Sequence, residues 1–173
     1  VSTGNGDNTV FVYGNNAQIT TGNGNDTVIA KHLNNAVIDL GGGNNTFEAE
    51  EVFDTQLSLG DGDNNITVGL VTGNSHISLG DGDNNISLEM MTGNGRIIAG
   101  NGNNSVKGYS LGMPHEYTKT SITLGNGNNR VEFEDIRGGL ISLGNGANVI
   151  ELNRLLGNAT LSVGNGNNVA KIY

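Results

Sequence analysis

A short glycine-rich motif recurs along this chain at a nearly constant interval, and that repeat limits the fold more than any other feature. It begins at Gly4, Gly22, Gly41, Gly60, Gly80, Gly100, Gly125, Gly144 and Gly164, with successive starts 18, 19, 19, 20, 20, 25, 19 and 20 residues apart. Copies at such an interval mark a solenoid, in which each repeat forms one coil and packs only on its neighbours. The flanks alternate. Two and four residues past each corner Asn or Asp stand pairs such as Val28/Ala30, Phe47/Ala49, Ile66/Val68 and Ile150/Leu152, and only Gly108 fails to supply an apolar side chain. Three and one residues before each glycine stand pairs such as Ile38/Leu40, Leu57/Leu59, Ile77/Leu79 and Ile122/Leu124. Period-two alternation on both sides of a turn predicts two short, half-buried strands per repeat. The expected fold is all-β: a parallel β-roll, or β-solenoid, of about nine coils of 18–20 residues. Stacked at ~4.8 Å per coil, such a rod is roughly 43 Å long.

Composition makes sense only in that frame. The 173 residues include 29 glycines and 29 asparagines, which without the columns would suggest a disordered tract. At a corner, glycine supplies positive φ, and asparagine also tolerates that region. A second corner carries its own column, Asn16, Asn35, Asn74, Asn94 and Asn158, with Asp54 in the equivalent place. Stacked amides donate and accept along the rod axis, so both asparagine columns are expected to be internal structural ladders. One proline and no cysteine exclude collagen, a disulfide scaffold, a zinc–cysteine site and a cysteine nucleophile. No apolar run approaches the ~18 residues of a membrane-spanning helix. A net charge of −9 argues against nucleic acid as a partner. The three histidines, His32, His76 and His115, fall in different coils, and no phosphate-binding loop is present, so the chain reads as non-enzymatic.

The stretch Thr21-Gly22-Asn23-Gly24-Asn25-Asp26-Thr27-Val28-Ile29 resembles the nonapeptide G-G-x-G-x-D-x-U-x of the RTX, or haemolysin-type, calcium-binding β-roll family. The other copies keep the glycine and apolar positions, so the resemblance runs along the whole chain in every second half-coil. It implies a secreted or surface bacterial protein, part of a toxin, adhesin or exoenzyme, with calcium held between coils by the motif's aspartate and backbone carbonyls. Here that position reads Asn8, Asp26, Asn45, Asn64, Asn84, Asn104, Asn129, Asn148 and Asn168. An amide oxygen can coordinate calcium but cannot offset its charge. The expectation is an amide ladder in place of most of the calcium ladder, no required cofactor, and weak residual calcium binding at Asp26 beside Asn8 or Asn45. A second acidic set, Asp61, Asp63, Asp81 and Asp83, occupies matching outward positions of adjacent coils. Like charges so close are either hydrated or bridged by a cation.

The 25-residue interval holds an insertion loop, 109–119, whose Tyr109, His115, Glu116 and Tyr117 are candidate contact residues. The expected organisation is one solenoid, 1–173, belonging to a longer protein whose flanking domains are its partners. Open sheet edges would also permit end-to-end self-association. The favoured reading is a largely calcium-independent structural segment. The alternatives are a polysaccharide-binding accessory module and, less favoured, an ice-binding solenoid using the outward column Thr20, Asp39, Ser58, Ser78, Ile98, Thr123, Ser142 and Ser162.

Overall fold

The structure, a computed structural model, describes residues 1–113 and 119–173. Those residues form eighteen strands and no helix. Successive strands alternate between two nine-stranded parallel sheets, so each full turn of the chain adds one strand to each. Ile86, for example, pairs with Ile66 of the preceding coil and Val106 of the next. The chain is the parallel β-solenoid of about nine coils that its repeat predicts. Coils are numbered here 1 to 9 by their first-corner glycines, Gly4 to Gly164.

The two sheets are unequal, which the alternation did not foretell. One is built from short strands such as Gln56–Leu59 and Arg96–Ala99. The other holds longer ones, such as Thr27–Asn34 and Asn65–Thr72. In the long strands from Thr27–Asn34 to Arg130–Ile136, period two breaks after the second inward residue. Lys31 and His32 both face solvent, and Leu33 then turns inward. This creates a third buried column, Leu33, Val52, Val71, Met91, Leu111 and Ile136, each five residues past the first inward residue of its coil. Across the thin core, Val28, Phe47, Ile66, Ile86, Val106, Val131 and Ile150 face Ile38, Leu57, Ile77, Ile97, Ile122 and Ile141. Burial of these side chains at roughly 25 cal/mol per Å² is the main favourable contribution, and each coil adds its share through its neighbours alone.

The first corner admits no other residue at its stacked glycines. Gly102 has φ +134, and a Cβ placed on it would lie 2.0 Å from the carbonyl oxygen of Gly82 in the coil before. Both the left-handed backbone and the close stacking require the missing side chain. The second corner differs from expectation. Its left-handed position is held by Asn16, Asn35 and Asp54, with φ 57, 53 and 45, and then by Gly73, Gly93 and Gly157, with φ 65, 68 and 66. Asn74, Asn94 and Asn158 therefore stand one residue beyond that position, in corners one residue longer. This column is also exposed rather than internal.

The insertion begins later than 109. Tyr109, Ser110 and Leu111 complete the strand Ser105–Leu111, which is paired on both sides. The chain leaves the coil at Gly112, which has φ 80. His115, Glu116 and Tyr117 lie outside the described residues.

Candidate functional site

Every first corner spans five residues, of which the second, fourth and fifth stack into three columns along the rod. In the two outer columns, except around Gly42 and Ala147, which have no side-chain oxygen, an oxygen accepts the backbone N–H of the same position one coil later. The N–H of Asp81 donates to Oδ1 of Asp61 at 2.8 Å, and that of Asn101 to Oδ1 of Asp81 at 2.6 Å. The N–H of Asp83 donates to Oδ1 of Asp63 at 2.7 Å, and that of Asn103 to Oδ1 of Asp83 at 2.6 Å. Only an acceptor is needed, and Asn and Asp supply it equally. The four aspartates thus have a structural partner that neither hydration nor a bridging cation had suggested.

The inner column runs with the opposite polarity. The backbone N–H and Nδ2 of Asn64 both donate to Oδ1 of Asn84, at 3.2 and 2.9 Å. Asn84 donates likewise to Asn104, and Asn129 to Asn148. The same amide nitrogen also reaches two glycine carbonyls of its own corner: Nδ2 of Asn104 lies 3.0 Å from the oxygen of Gly100 and 3.2 Å from that of Gly102. Asn45, Asn64, Asn84, Asn104, Asn129 and Asn148 are all buried to 1% exposure or less. Buried polar groups cost free energy unless paired, and here the oxygen and nitrogen of each amide are both used. This position needs a donor as well as an acceptor, so aspartate is not equivalent to asparagine there.

Asp26 breaks that rule. Its Oδ1 keeps the acceptor role, taking the backbone N–H and Nδ2 of Asn8 at 2.9 and 2.8 Å, and its own N–H donates to Oδ1 of Asn45 at 2.9 Å. Its Oδ2 stands where the repeat has an amide nitrogen, is buried, and has no hydrogen-bond partner. In the next coil the nitrogen at this place, Nδ2 of Asn45, donates to the carbonyls of Gly41 and Gly43, so the equivalent carbonyls of Gly22 and Gly24 have no such donor in Asp26. The next corner is altered too. The N–H of Gly41 turns to Oδ1 of Asp39 at 3.1 Å, whereas the N–H of Gly60 bonds the carbonyl of Gly41 in the coil before. The second coil therefore gathers oxygen acceptors without donors. Their hardness and shared negative character suit a cation such as calcium. Among the described residues no group of three His, Cys, Asp or Glu side chains converges on one point, so such a site would draw mainly on backbone and amide oxygens beside Asp26.

Two other buried polar features were not apparent in the sequence. Asp135 is fully buried and accepts hydrogen bonds from Nη2 of Arg137 at 2.7 Å and from Nε and Nη2 of Arg154 at 2.5 and 2.6 Å. These hydrogen bonds hold its carboxyl below the usual range, against the opposing effect of desolvation. The available signal was register: Asp135 pairs with Arg154 across the long-strand sheet. His76, on the outer face of the other sheet, has its pKa lowered by burial and then by Arg96, and its Nε2 has no partner. His32 lies in the long-strand sheet beside Glu50 and Glu51, so these two histidines do not meet in one site. Tyr109 is 57% exposed on the outer face of the long-strand sheet. In comparisons with known proteins, no family model matches the chain, and no curated protein or solved structure resembles it significantly.

Proposed function

We propose that the chain is a non-enzymatic, structural β-solenoid segment of RTX type, a stiff spacer in a secreted or surface bacterial protein. In this reading an asparagine ladder takes the place of a calcium ladder. The supporting observation is the inner column of the first corner, where consecutive amides bond one another and their own corner carbonyls, so that both the oxygen and the nitrogen of each are used. Asp26 is the residual cation position. Oδ2 and the carbonyls of Gly22 and Gly24 would hold the ion, and Asn8 and Asn45 are the neighbouring rungs. A bound calcium would supply the positive charge that the missing amide hydrogens supply elsewhere.

The test is thermal melting, followed by circular dichroism, in chelator and in calcium, for wild type and Asp26→Asn. The wild type should stay folded in chelator and gain stability in calcium. By linkage, that gain is about 2.7 kcal/mol at a hundredfold excess over Kd. Asp26→Asn should be more stable than wild type in chelator and should not respond to calcium. Collapse of the wild type on chelation would overturn the reading.

A further inference from the structure

We propose that Asn94, at a second corner, is a site of spontaneous deamidation, and that coil stacking shields the same Asn-Gly sequence at the covered first corners. Asn-Gly pairs begin at Asn5, Asn23, Asn94, Asn101, Asn126, Asn145 and Asn165. Asparagine is among the thermolabile residues, and it reacts most readily before glycine, whose nitrogen no side chain shields. The glycine nitrogen attacks Cγ of the asparagine, so that an N–Cγ bond forms and the Cγ–Nδ2 bond breaks. The N–H proton passes through water to the departing nitrogen, which leaves as ammonia. Water then opens the cyclic imide at either carbonyl, giving aspartate or isoaspartate. The first step needs a glycine N–H that can lose its proton and a side chain free to turn Cγ toward that nitrogen.

The covered first corners deny both. The N–H of Gly102 donates to the carbonyl of Asn126 in the next coil at 2.8 Å, and those of Gly127 and Gly146 donate to Asn145 and Asn165 at the same distance. The N–H of Gly6 donates to Asn23 at 2.8 Å, and that of Gly24 to Gly42 at 3.0 Å. Most of the asparagine oxygens are held as well. Oδ1 of Asn101 accepts the N–H of Asn126 at 3.0 Å, and Oδ1 of Asn126 accepts that of Asn145 at 2.9 Å. Freeing either group requires one coil to lift from the next, so reaction there follows local unfolding.

Asn94 lacks that cover. The N–H of Gly95 bonds the Thr92 carbonyl of its own corner, at 3.3 Å, and no carbonyl of another coil. The Asn94 side chain is exposed, and among the described residues its one hydrogen bond runs from Nδ2 to Oδ1 of Asn74 at 2.9 Å. The next member of its column is Asn158, beyond the insertion. Aspartate at this place forfeits the bond to Asn74. Isoaspartate adds a main-chain atom to a corner that already varies in length, so the rod stays folded and gains negative charge. Neither step involves a cation, so the outcome is independent of Asp26.

The test is peptide mapping by mass spectrometry, with an enzymatic isoaspartate assay, after incubating residues 1–173 in mildly alkaline buffer with and without urea. In unfolding urea every Asn-Gly pair should convert at a similar rate. In the folded chain Asn94 should convert about tenfold or more faster than Asn101 and Asn126, whose reaction waits on coil opening. Asn165 shares the first-corner sequence, but no later coil within residues 1–173 covers it and the Gly166 N–H makes no such bond, so it should convert with Asn94. Asn94→Asp should melt with wild type. Equal rates at Asn94 and Asn101 in the folded chain, an Asn94 that stays intact, or an Asn94→Asp variant that loses the fold would each overturn the proposal.

Discussion

The first and second corners of each coil draw on the same few residue types, yet only the first is constant in length. From coil 2 onward every change of interval falls at the second corner. Leu33 to Ala36, Val52 to Thr55 and Ile136 to Gly139 are three residues apart, while Val71 to Ser75, Met91 to Gly95 and Leu155 to Ala159 are four apart. Leu111 to Thr120 are nine apart, and this is where the insertion lies. The hydrogen bonds explain the contrast. At the first corner, three columns of side chains bond the backbone of neighbouring coils, so an extra residue displaces several buried or semi-buried bonds together. At the second corner a few hydroxyls such as Ser75 make buried bonds, but the asparagine ladder is exposed and mostly amide to amide, as from Nδ2 of Asn35 to Oδ1 of Asn16 at 2.7 Å and from Nδ2 of Asn94 to Oδ1 of Asn74 at 2.9 Å. Water can replace the exposed amide bonds at little cost.

The largest expected effect breaks this contrast directly. A glycine inserted between Gly82 and Asp83 moves Asp83 and Asn84 out of register with the coils on either side. It should lower stability in urea by roughly 4 kcal/mol, at about 1 kcal/mol for each of several lost bonds. The same insertion after Gly93 at the second corner should cost about 1 kcal/mol or less, since loop length is thermodynamically cheap. Equal losses would show that the corners are not different.

Within the first corner, Asn104→Asp should cost about 3 kcal/mol, because it sets a buried carboxylate against the carbonyls of Gly100 and Gly102. Asn103→Asp, one residue earlier in an outer column, should change stability by less than about 0.5 kcal/mol. Paired urea titrations of the two variants check whether the donor requirement is confined to the inner column.

Asp135→Asn should cost roughly 2 kcal/mol near neutral pH through its charge-assisted bonds. Because the folded carboxyl has a lowered pKa, its contribution is present above the unfolded value of 3.8 and lost as pH falls through the folded value. Melting curves of wild type and Asp135→Asn should therefore converge in acid. Curves that stay parallel would remove Asp135 from the pH dependence.

The smallest effect belongs to the outer acids. Asp61→Asn/Asp81→Asn preserves both acceptor roles and removes like charges, so at low salt it should be neutral or stabilising by a few tenths of a kcal/mol. A large loss of stability with a changed calcium titration would instead place a cation on that corner.

Much of this was legible in the repeat. Period-two flanks around evenly spaced glycines were enough to specify coils, parallel pairing and the two main inward columns, because a one-residue slip would turn every apolar side chain to solvent. The column from Leu33 to Ile136 is not legible in the sequence because outward pairs such as Lys31 and His32 interrupt the alternation that signals a strand. The asparagine columns could be placed, but not the atoms that bond. Asn64 and Asp61 are close in sequence and alike in shape, yet one must donate and accept while the other need only accept.

That distinction separates what the chain's residues determine alone from what stacking decides. The spacing of apolar residues and glycines sets the coil, since burial and backbone sterics act within each repeat. The polarity of each ladder and the pairing of buried Asp135 with Arg154 arise between coils, from groups about twenty residues apart. Contacts across that separation exist only once one coil lies on another, so only the tertiary structure could decide them.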